Sequence, residues 1–215
     1  MPKQNRVTPY GEIIATNARG TLMGNRGILH NDQQQIVRPY QHNAWIICRL
    51  EFKGRRRAVM SPGNYTELFF LDEATALAAG HRPCFECQRA RANAFRDAWR
   101  AANPELVGDG HLKAGQIDAA LHAERLTPAR RIKDRRKQTY SASLKELPDG
   151  TVVEWESAPY LVWGKHLYPW TAVGYLSPMQ RPADIRVIVL TPPSIVRALA
   201  GGFQPIVHPT AVTEP

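Results

Sequence analysis

The stretch FLDEATALAAGHRPCFECQRARANAFRDAW, residues 70–99, predicts two helices joined by a turn that carries a Cys-x-x-Cys pair. Asp72 is a favourable N-cap for the first helix, because its carboxylate can accept hydrogen bonds from the N–H groups that open a helix. Gly80 can adopt the left-handed conformation that ends a helix. The alanine- and arginine-rich run after the turn has the propensity of a second, longer helix. Cys84 and Cys87 are therefore expected at the N-terminus of that second helix.

This position favours metal chemistry. The free N–H groups and the dipole at a helix N-terminus stabilise thiolate over thiol, and thiolate is the form that binds metal. Two cysteines separated by two residues can supply half of the ligands of a zinc site. The alternatives are a redox dithiol or two unconnected core residues.

A complete zinc site needs two further ligands. Cys48 is the natural third ligand, because a buried strand at residues 44–52, followed by a hairpin turn and a return strand at 55–60, can bring it beside the turn. We expect His81, the nearest histidine in sequence, as the fourth ligand. The alternatives for that position are His42, His30, Glu51, Glu86 or water.

The charge of the chain indicates an anionic partner. The net charge is +9, and the excess is clustered in sequence rather than spread evenly. Clustering favours nucleic acid over simple solubility, which remains the alternative. The predicted phosphate contacts are Arg26 in the MGNRG loop, Arg55, Arg56 and Arg57 in one basic loop, and Arg130, Arg131, Arg135 and Arg136 in a second basic run.

Composition also predicts the compartment and the domain plan. The three cysteines and the lack of an apolar leader segment predict a reducing, cytoplasmic setting, and no apolar run is long enough for a membrane span. We expect an α+β fold. The expected divisions are a flexible tail at 1–12, a metal-binding module at 13–112, a basic helical segment at 113–146 and a β-rich C-terminal lobe at 147–215.

Residues 44–91 resemble the metal-binding domain of the bacterial Ada protein, which binds zinc through four cysteines and repairs methyl phosphotriesters in DNA by moving the methyl group to one of them. A helix ending in Ala-Ala-Gly leads there into Arg-Pro-Cys-x-x-Cys, as at 78–87 of this chain. The resemblance implies an Ada-like zinc module with Cys48 as methyl acceptor. Phe52 stands where that family has its next cysteine, and a three-thiolate site is less negative and less nucleophilic. The chain also resembles, over nearly its full length, a group of uncharacterised bacterial proteins, which implies no activity.

These features predict a zinc-containing protein that binds nucleic acid, DNA rather than RNA, in DNA repair or modification. Two alternatives follow from the same residues. One is a metal-dependent hydrolase or nuclease that uses Asn25, Arg26 and His30 with the metal and with residues of the loop at 55–57. The other is a repair protein that accepts a methyl group on Cys48. A protein-interaction module is a further possibility.

Overall fold

A computed structural model describes residues 1–54, 58–107 and 112–211. The helices are α1 (Glu73–Ala78), α2 (Arg89–Ala102), α3 (Ala114–Arg125) and α4 (Pro193–Ala200). The strands are β1 (Gln4–Val7), β2 (Ile13–Ala15), β3 (Leu22–Asn25), β4 (Ile46–Cys48), β5 (Leu68–Phe70), β6 (Arg82–Pro83), β7 (Tyr140–Ser143), β8 (Val152–Trp155), β9 (Ala158–Trp163), β10 (His166–Thr171), β11 (Gly174–Tyr175), β12 (Met179–Gln180) and β13 (Arg186–Val189). The described residues thus form a mixed α and β fold.

The strands form two sheets. The first has the order β2-β1-β5-β3-β4-β6, in which β1–β5 and β4–β6 are parallel pairs. The second is antiparallel and has the order β11-β10-β9-β8-β13-β7, with β12 paired to β10. The second sheet confirms the β-rich character predicted for the C-terminal part of the chain.

Helix α1 is the centre of the fold, since all six of its residues are buried. Its Ala76 and Leu77 join a core formed with β5 and with helices α2, α3 and α4. Its Ala74 and Ala78 join a second core against the C-terminal sheet. The Asp72 side chain caps the helix by accepting from the backbone N–H of Thr75 at 2.8 Å, as the sequence predicts.

The C-terminal sheet uses both of its faces. Val152 and Leu161 belong to the core beneath α1, whereas their neighbours Val153 and Val162 belong to a third core on the other face. Successive side chains of a strand point to opposite faces, so two apolar layers are expected from a continuous apolar run. The strand tryptophans pack against these cores, in agreement with a structural role for them.

Three sequence expectations about architecture are wrong. The expected tail contains β1, which pairs with β2 and β5. The expected hairpin does not form, because β4 pairs with β3 and β6, and residues 58–60 are not in a strand. The basic run after α3 is not an α-helix and contains only a 3-10 turn at Ile132–Asp134. It closes into a loop through the Leu126–Lys137 bridge, and Gln138 N–H donates to the Arg125 carbonyl at 3.0 Å.

The boundaries of the predicted segments shift accordingly. Strand β7, at Tyr140–Ser143, lies in the segment expected to be helical and pairs with β13 of the C-terminal sheet. Helix α4, from the expected C-terminal lobe, packs in the core around α1 and α2. The predicted helix beginning near residue 113 is confirmed as α3.

Candidate metal centre

Three cysteine side chains converge at the end of β4. The sulfur atoms of Cys48, Cys84 and Cys87 all lie within 4.8 Å of one another. Cys48 and Cys84 are buried, and Cys87 is half-buried. Three thiol groups at this separation can hold a single metal ion, which confirms that Cys48 joins the Cys-x-x-Cys pair despite its distance in sequence.

Strand pairing brings the cysteines together. β6 lies parallel to β4, with Ile47 opposite Pro83, and the backbone N–H of Cys84 donates to the Ile47 carbonyl at 2.9 Å. Gly24 allows β3 to approach β4 closely, because a Cβ atom there would lie 2.1 Å from the Ile46 carbonyl oxygen. Only glycine permits that approach.

An ion pair anchors the turn that carries the cysteines. The Arg82 guanidinium donates two hydrogen bonds to the Asp118 carboxylate of α3, both at 2.8 Å. Both side chains are at least nine-tenths buried. The Arg82 guanidinium also lies 5.2 Å from the centre of the Phe85 ring. This bidentate pair fixes the turn to α3 and so holds Cys84 in place.

Hydrogen bonding favours a thiolate at the centre of the site. The pKa of Cys84 is lowered to about 5, chiefly because the Cys48 thiol donates a hydrogen bond to its sulfur, and backbone N–H groups of Glu86 and Cys87 add to the effect. The same thiol–thiolate hydrogen bond, together with burial, raises the pKa of Cys48. Burial raises the pKa of Cys87, whose sulfur accepts from the backbone N–H of Arg49. Binding a metal ion must therefore displace protons from Cys48 and Cys87.

The cysteines lie in the wall of a groove with a volume of about 1010 Å³, here called the thiol groove. Its other polar side chains are those of Asn25, Arg49, Glu51, Lys53, Glu67 and Glu86. Apolar and aromatic side chains such as Met23 and Tyr65 complete the lining. A metal ion held by the three thiols would therefore face a cavity large enough for a sizeable ligand.

His81 is not part of the site, contrary to the sequence expectation. Among the described residues, the group with metal-ligand spacing contains only the three cysteines. The chain turns at Gly80, and the His81 ring enters the core beside Trp45 and Phe70. Its Nε2 accepts a hydrogen bond from Arg26 Nε at 3.1 Å. Of the alternatives, His30 is also committed elsewhere, since its Nδ1 lies 2.6 Å from the Thr66 hydroxyl.

The predicted phosphate contacts have different environments. Arg55, Arg56 and Arg57 lie outside the described residues. Arg130, Arg131 and Arg136 are exposed, and Arg135 is half-buried. Arg26 is only 1% exposed, so it cannot reach a nucleic-acid backbone on the surface, and that part of the prediction is wrong. Its short loop turns the side chain inward toward His81 rather than outward.

Sequence reasoning missed a set of residues behind the site: Trp45, Arg125 and Lys137. A signal for Arg125 is present, because it lies four residues after Leu121 and eight after Ile117 on the buried face of α3. A charged residue on the buried face of a helix rarely lacks a partner. Once α3 is predicted, Arg125 therefore stands out as a candidate functional residue.

No known protein family, curated protein or solved structure matches the chain. In the part of the chain that the structure describes, no helix has the length and apolar character needed to cross a membrane. What the site does must therefore be inferred from its own residues.

Proposed function

We propose that this protein binds one zinc ion through Cys48, Cys84 and Cys87 and binds nucleic acid, DNA rather than RNA, along the thiol groove, in DNA repair or modification. The observation that carries the proposal is the convergence of three sulfur atoms within 4.8 Å in the groove wall. The resemblance of residues 44–91 to the Ada metal-binding domain supports the same combination of metal and nucleic acid.

Zinc fits the ligand set. Thiolates favour soft or borderline ions, and zinc in proteins takes a tetrahedral set of sulfur and nitrogen ligands. Backbone N–H groups that donate to the sulfur atoms of Cys84 and Cys87 would stabilise them as thiolates. Three protein ligands leave the fourth position for water or for a group bound in the groove.

Nucleic acid fits the positive charge of the chain as a whole more than the lining of the groove. Among the described residues, Arg49 and Lys53 line the groove together with the carboxylates of Glu51, Glu67 and Glu86, and Arg55, Arg56 and Arg57 follow directly in the sequence. The exposed arginines of the 126–137 loop lie outside the groove lining and add to the positive surface of the protein as a whole. With a net charge of +9, such a surface attracts a polyanion through the release of its counterions.

Metal analysis tests the first half of the proposal. Purified protein should contain about one zinc per chain, and a cobalt-substituted sample should show the absorption of thiolate ligands in tetrahedral geometry. Cys84→Ser should abolish this absorption. His81→Asn is the matched control and should retain it, because His81 lies in the core and bonds to Arg26. Absence of metal, or equal loss in both variants, would contradict the proposed ligand set.

Nucleic-acid binding is tested by fluorescence anisotropy with labelled duplex DNA and RNA over a salt series. The logarithm of the affinity should fall linearly with the logarithm of salt concentration, and Arg49→Ala or Arg56→Ala should reduce that slope by about one unit each. Lys145→Ala, in the 3-10 turn after β7, is the matched control and should leave the slope unchanged. No binding at low salt would overturn this half of the proposal.

A second candidate is a metal-dependent hydrolase or nuclease. It is favoured by the number of protein ligands, since catalytic zinc sites keep three and leave the fourth for a water that the metal activates. Zinc-loaded protein should then cleave labelled DNA or RNA with multiple turnovers, and Cys84→Ser should not. A cleavage product that never exceeds the background of the metal-free protein would exclude this activity.

Methyl acceptance on Cys48 remains a third possibility, which the exposure of the thiols weighs against. Cys48 is 8% exposed, whereas Cys87 is half-buried and easier to reach from the groove. Mass spectrometry after incubation with DNA that carries methyl phosphotriesters would detect a methyl group on any of the three cysteines and identify which one.

A further inference from the structure

Two buried arginines stack on one tryptophan behind the metal site. The guanidinium carbons of Arg26 and Arg125 each lie 3.9 Å from the centre of the Trp45 ring. Each arginine is 1% exposed. Within the described ranges, neither has a carboxylate at ion-pair distance, which is unusual because buried charges are normally paired.

A cavity of about 220 Å³ adjoins these arginines and is here called the cationic pocket. Its cationic side chains are those of Arg26, Arg125, Arg135, Arg136 and Lys137, and its one carboxylate is that of Glu12, which is exposed. The pocket therefore combines five basic side chains with one carboxylate. Because its walls include both fully buried and exposed side chains, it extends from the surface to the buried arginines.

Carbonyl groups satisfy only part of the donor set. Arg26 Nη1 donates to the Gly11 carbonyl at 2.9 Å, and Arg125 Nη1 donates to the Gly80 carbonyl at 2.8 Å. Lys137 Nζ donates to the Ala78 carbonyl. Arg26 Nη2, Arg125 Nε and Arg135 Nε are buried and have no hydrogen-bond partner. A buried donor without an acceptor destabilises the folded chain, so the excess of donors in the pocket favours a bound acceptor.

His81 and His122 add to this excess. The Nε2 of His81 accepts from Arg26, so its Nδ1 must carry the proton if the ring is neutral, and that buried atom has no partner. The two ring nitrogens of His122 lie 3.0 Å from Arg125 Nη2 and 2.8 Å from Arg135 Nη1. A neutral imidazole has a single acceptor nitrogen, so only one of these two contacts can be a hydrogen bond from arginine to His122, although Arg125 Nη2 also donates to the Asn43 carbonyl at 2.7 Å.

Burial is the main electrostatic cost of these cations, and repulsion between neighbours adds to it at Lys137. Burial and the neighbouring Arg26 and Arg125 lower the pKa of Lys137 to about 7. Burial lowers the pKa of Arg125 to about 9. A bound anion would relieve both effects by supplying negative charge and acceptor oxygens at once.

We propose that the cationic pocket binds a dianionic phosphate group, as free phosphate or as a phosphate monoester. A dianion matches the charge of the pocket better than a carboxylate does, and guanidinium groups pair with phosphate oxygens through parallel hydrogen bonds. Trp45, Tyr40 and Ile132 provide apolar walls for a small organic group attached to the phosphate. The source is either free phosphate or the terminal phosphate of a mononucleotide-sized compound, and both present the same chemistry to the arginines.

This site is independent of the metal site. Asn25 and Ile46 are paired residues of β3 and β4 that line the thiol groove, whereas the next residues in each direction, Arg26 and Trp45, line the cationic pocket. Side chains alternate between the two faces of a sheet, so the two cavities lie on opposite faces of this strand pair. Failure of zinc or DNA binding would therefore leave the phosphate proposal untouched.

Isothermal titration calorimetry of the full chain tests the proposal, with inorganic phosphate and a nucleoside 5′-monophosphate as separate titrants at constant ionic strength. At least one should bind saturably with about one site per chain. Tighter binding of the nucleotide would identify the terminal phosphate as the source, and equal binding would identify free phosphate. A dinucleoside phosphodiester without a terminal phosphate should bind much more weakly, and equal binding of it would overturn the assignment of a dianionic phosphate group.

Two variants locate the binding. Lys137→Gln and Arg135→Gln should each weaken phosphate binding about tenfold, as expected for the loss of one charge-assisted hydrogen bond. Lys133→Gln is the matched control, since Lys133 is exposed on the same loop and does not line the pocket. Absence of saturable binding to the wild-type protein, or unchanged affinity in both pocket variants, would overturn the proposal.

Discussion

The two faces of the β3–β4 pair carry sites that favour ligands of opposite charge. On one face, three cysteine thiols lie close together, hydrogen bonding favours a thiolate at Cys84, and the group can bind a cation. On the other face, Arg26 and Arg125 are buried with donors left over, and they need an anion. The first site is held by backbone pairing and by the Arg82–Asp118 ion pair. The second is held by arginine hydrogen bonds to carbonyl groups.

The two sites differ in whether their residues are close together in the sequence, and this decides whether sequence analysis can detect them. Two of the three candidate metal ligands, Cys84 and Cys87, lie within four consecutive residues, so their spacing alone indicates a metal site. The cationic pocket collects side chains from segments spread between Tyr10 and Lys137, and no short motif contains them. A site of the first kind is visible in sequence, and a site of the second kind appears only after folding.

Asp118→Asn should produce the largest effect and should separate the two faces. The variant leaves the Arg82 charge buried without its carboxylate, and breaking such a pair costs about 3–5 kcal/mol. Zinc affinity should fall because the turn before Cys84 loses its anchor. Phosphate affinity should not fall, because Asp118 helps to neutralise Arg125 and so competes with a bound anion. Urea denaturation and separate zinc and phosphate titrations measure the three quantities.

Asp134→Asn is the matched control for this prediction. Asp134 also pairs with an arginine, Arg131, but the two side chains are 40% and 65% exposed. Exposed pairs contribute less than about 1 kcal/mol, so the control should remain close to wild type. A similar loss in both variants would mean that the buried pair does not hold the turn.

Gly80→Ala should have the next largest effect and should act mainly on the cationic face. Gly80 has a φ of +86°, and a Cβ atom there would lie 2.6 Å from Arg125 Cδ and 2.9 Å from its Cβ. Backbone strain and displacement of Arg125 should together cost about 1–3 kcal/mol and weaken phosphate binding. Zinc content should be unchanged. Thermal unfolding and calorimetry provide the measurements.

Gly63→Ala isolates the contribution of backbone strain. Gly63 also has a positive φ, +73°, but a Cβ atom there would meet nothing within 4 Å. It should therefore cost about 1 kcal/mol or less and leave phosphate binding intact. If both alanine variants weaken phosphate binding equally, the position of Arg125 is not what shapes the pocket.

The sequence predicts the parts of the molecule that local rules decide. The cap at Asp72, the turn with Cys84 and Cys87, and helix α3 all follow from short patterns. The partners of β4 do not, because strand pairing depends on contacts between distant residues, and the expected hairpin was the simplest local choice.

Among the site residues, too, those whose positions depend on distant contacts could not be predicted. The place of His81 could not be predicted, since nearness in sequence says nothing about which way a ring turns after Gly80. Arg26 looked like a surface contact because a glycine-rich loop carries it, yet Trp45 and His81 receive its guanidinium inside the protein. In each case a distant residue decides the outcome, and only the folded chain identifies that residue.

The smallest predicted effect concerns pH. Burial, and then the neighbouring charges of Arg125 and Arg135, lower the pKa of His122 to about 4. In the unfolded chain the pKa is about 6.5, so between these values the unfolded state binds a proton that the folded state does not. The free energy of unfolding should therefore fall as pH drops from about 6.5 towards about 4.

His122→Gln removes this proton-binding group and should lose less stability than wild type between pH 7 and pH 5, as measured by urea denaturation. His42→Gln, at an exposed position outside the pocket, should follow the wild type. The buried His81 has a lowered pKa of the same sign, so the difference between His122→Gln and wild type isolates the share of His122. Phosphate in the cationic pocket would stabilise the protonated imidazole against its two arginine neighbours and reduce the acid-induced loss in wild type. An acid response that is identical with and without phosphate, and identical in His122→Gln, would mean that His122 does not sense the charge of the pocket.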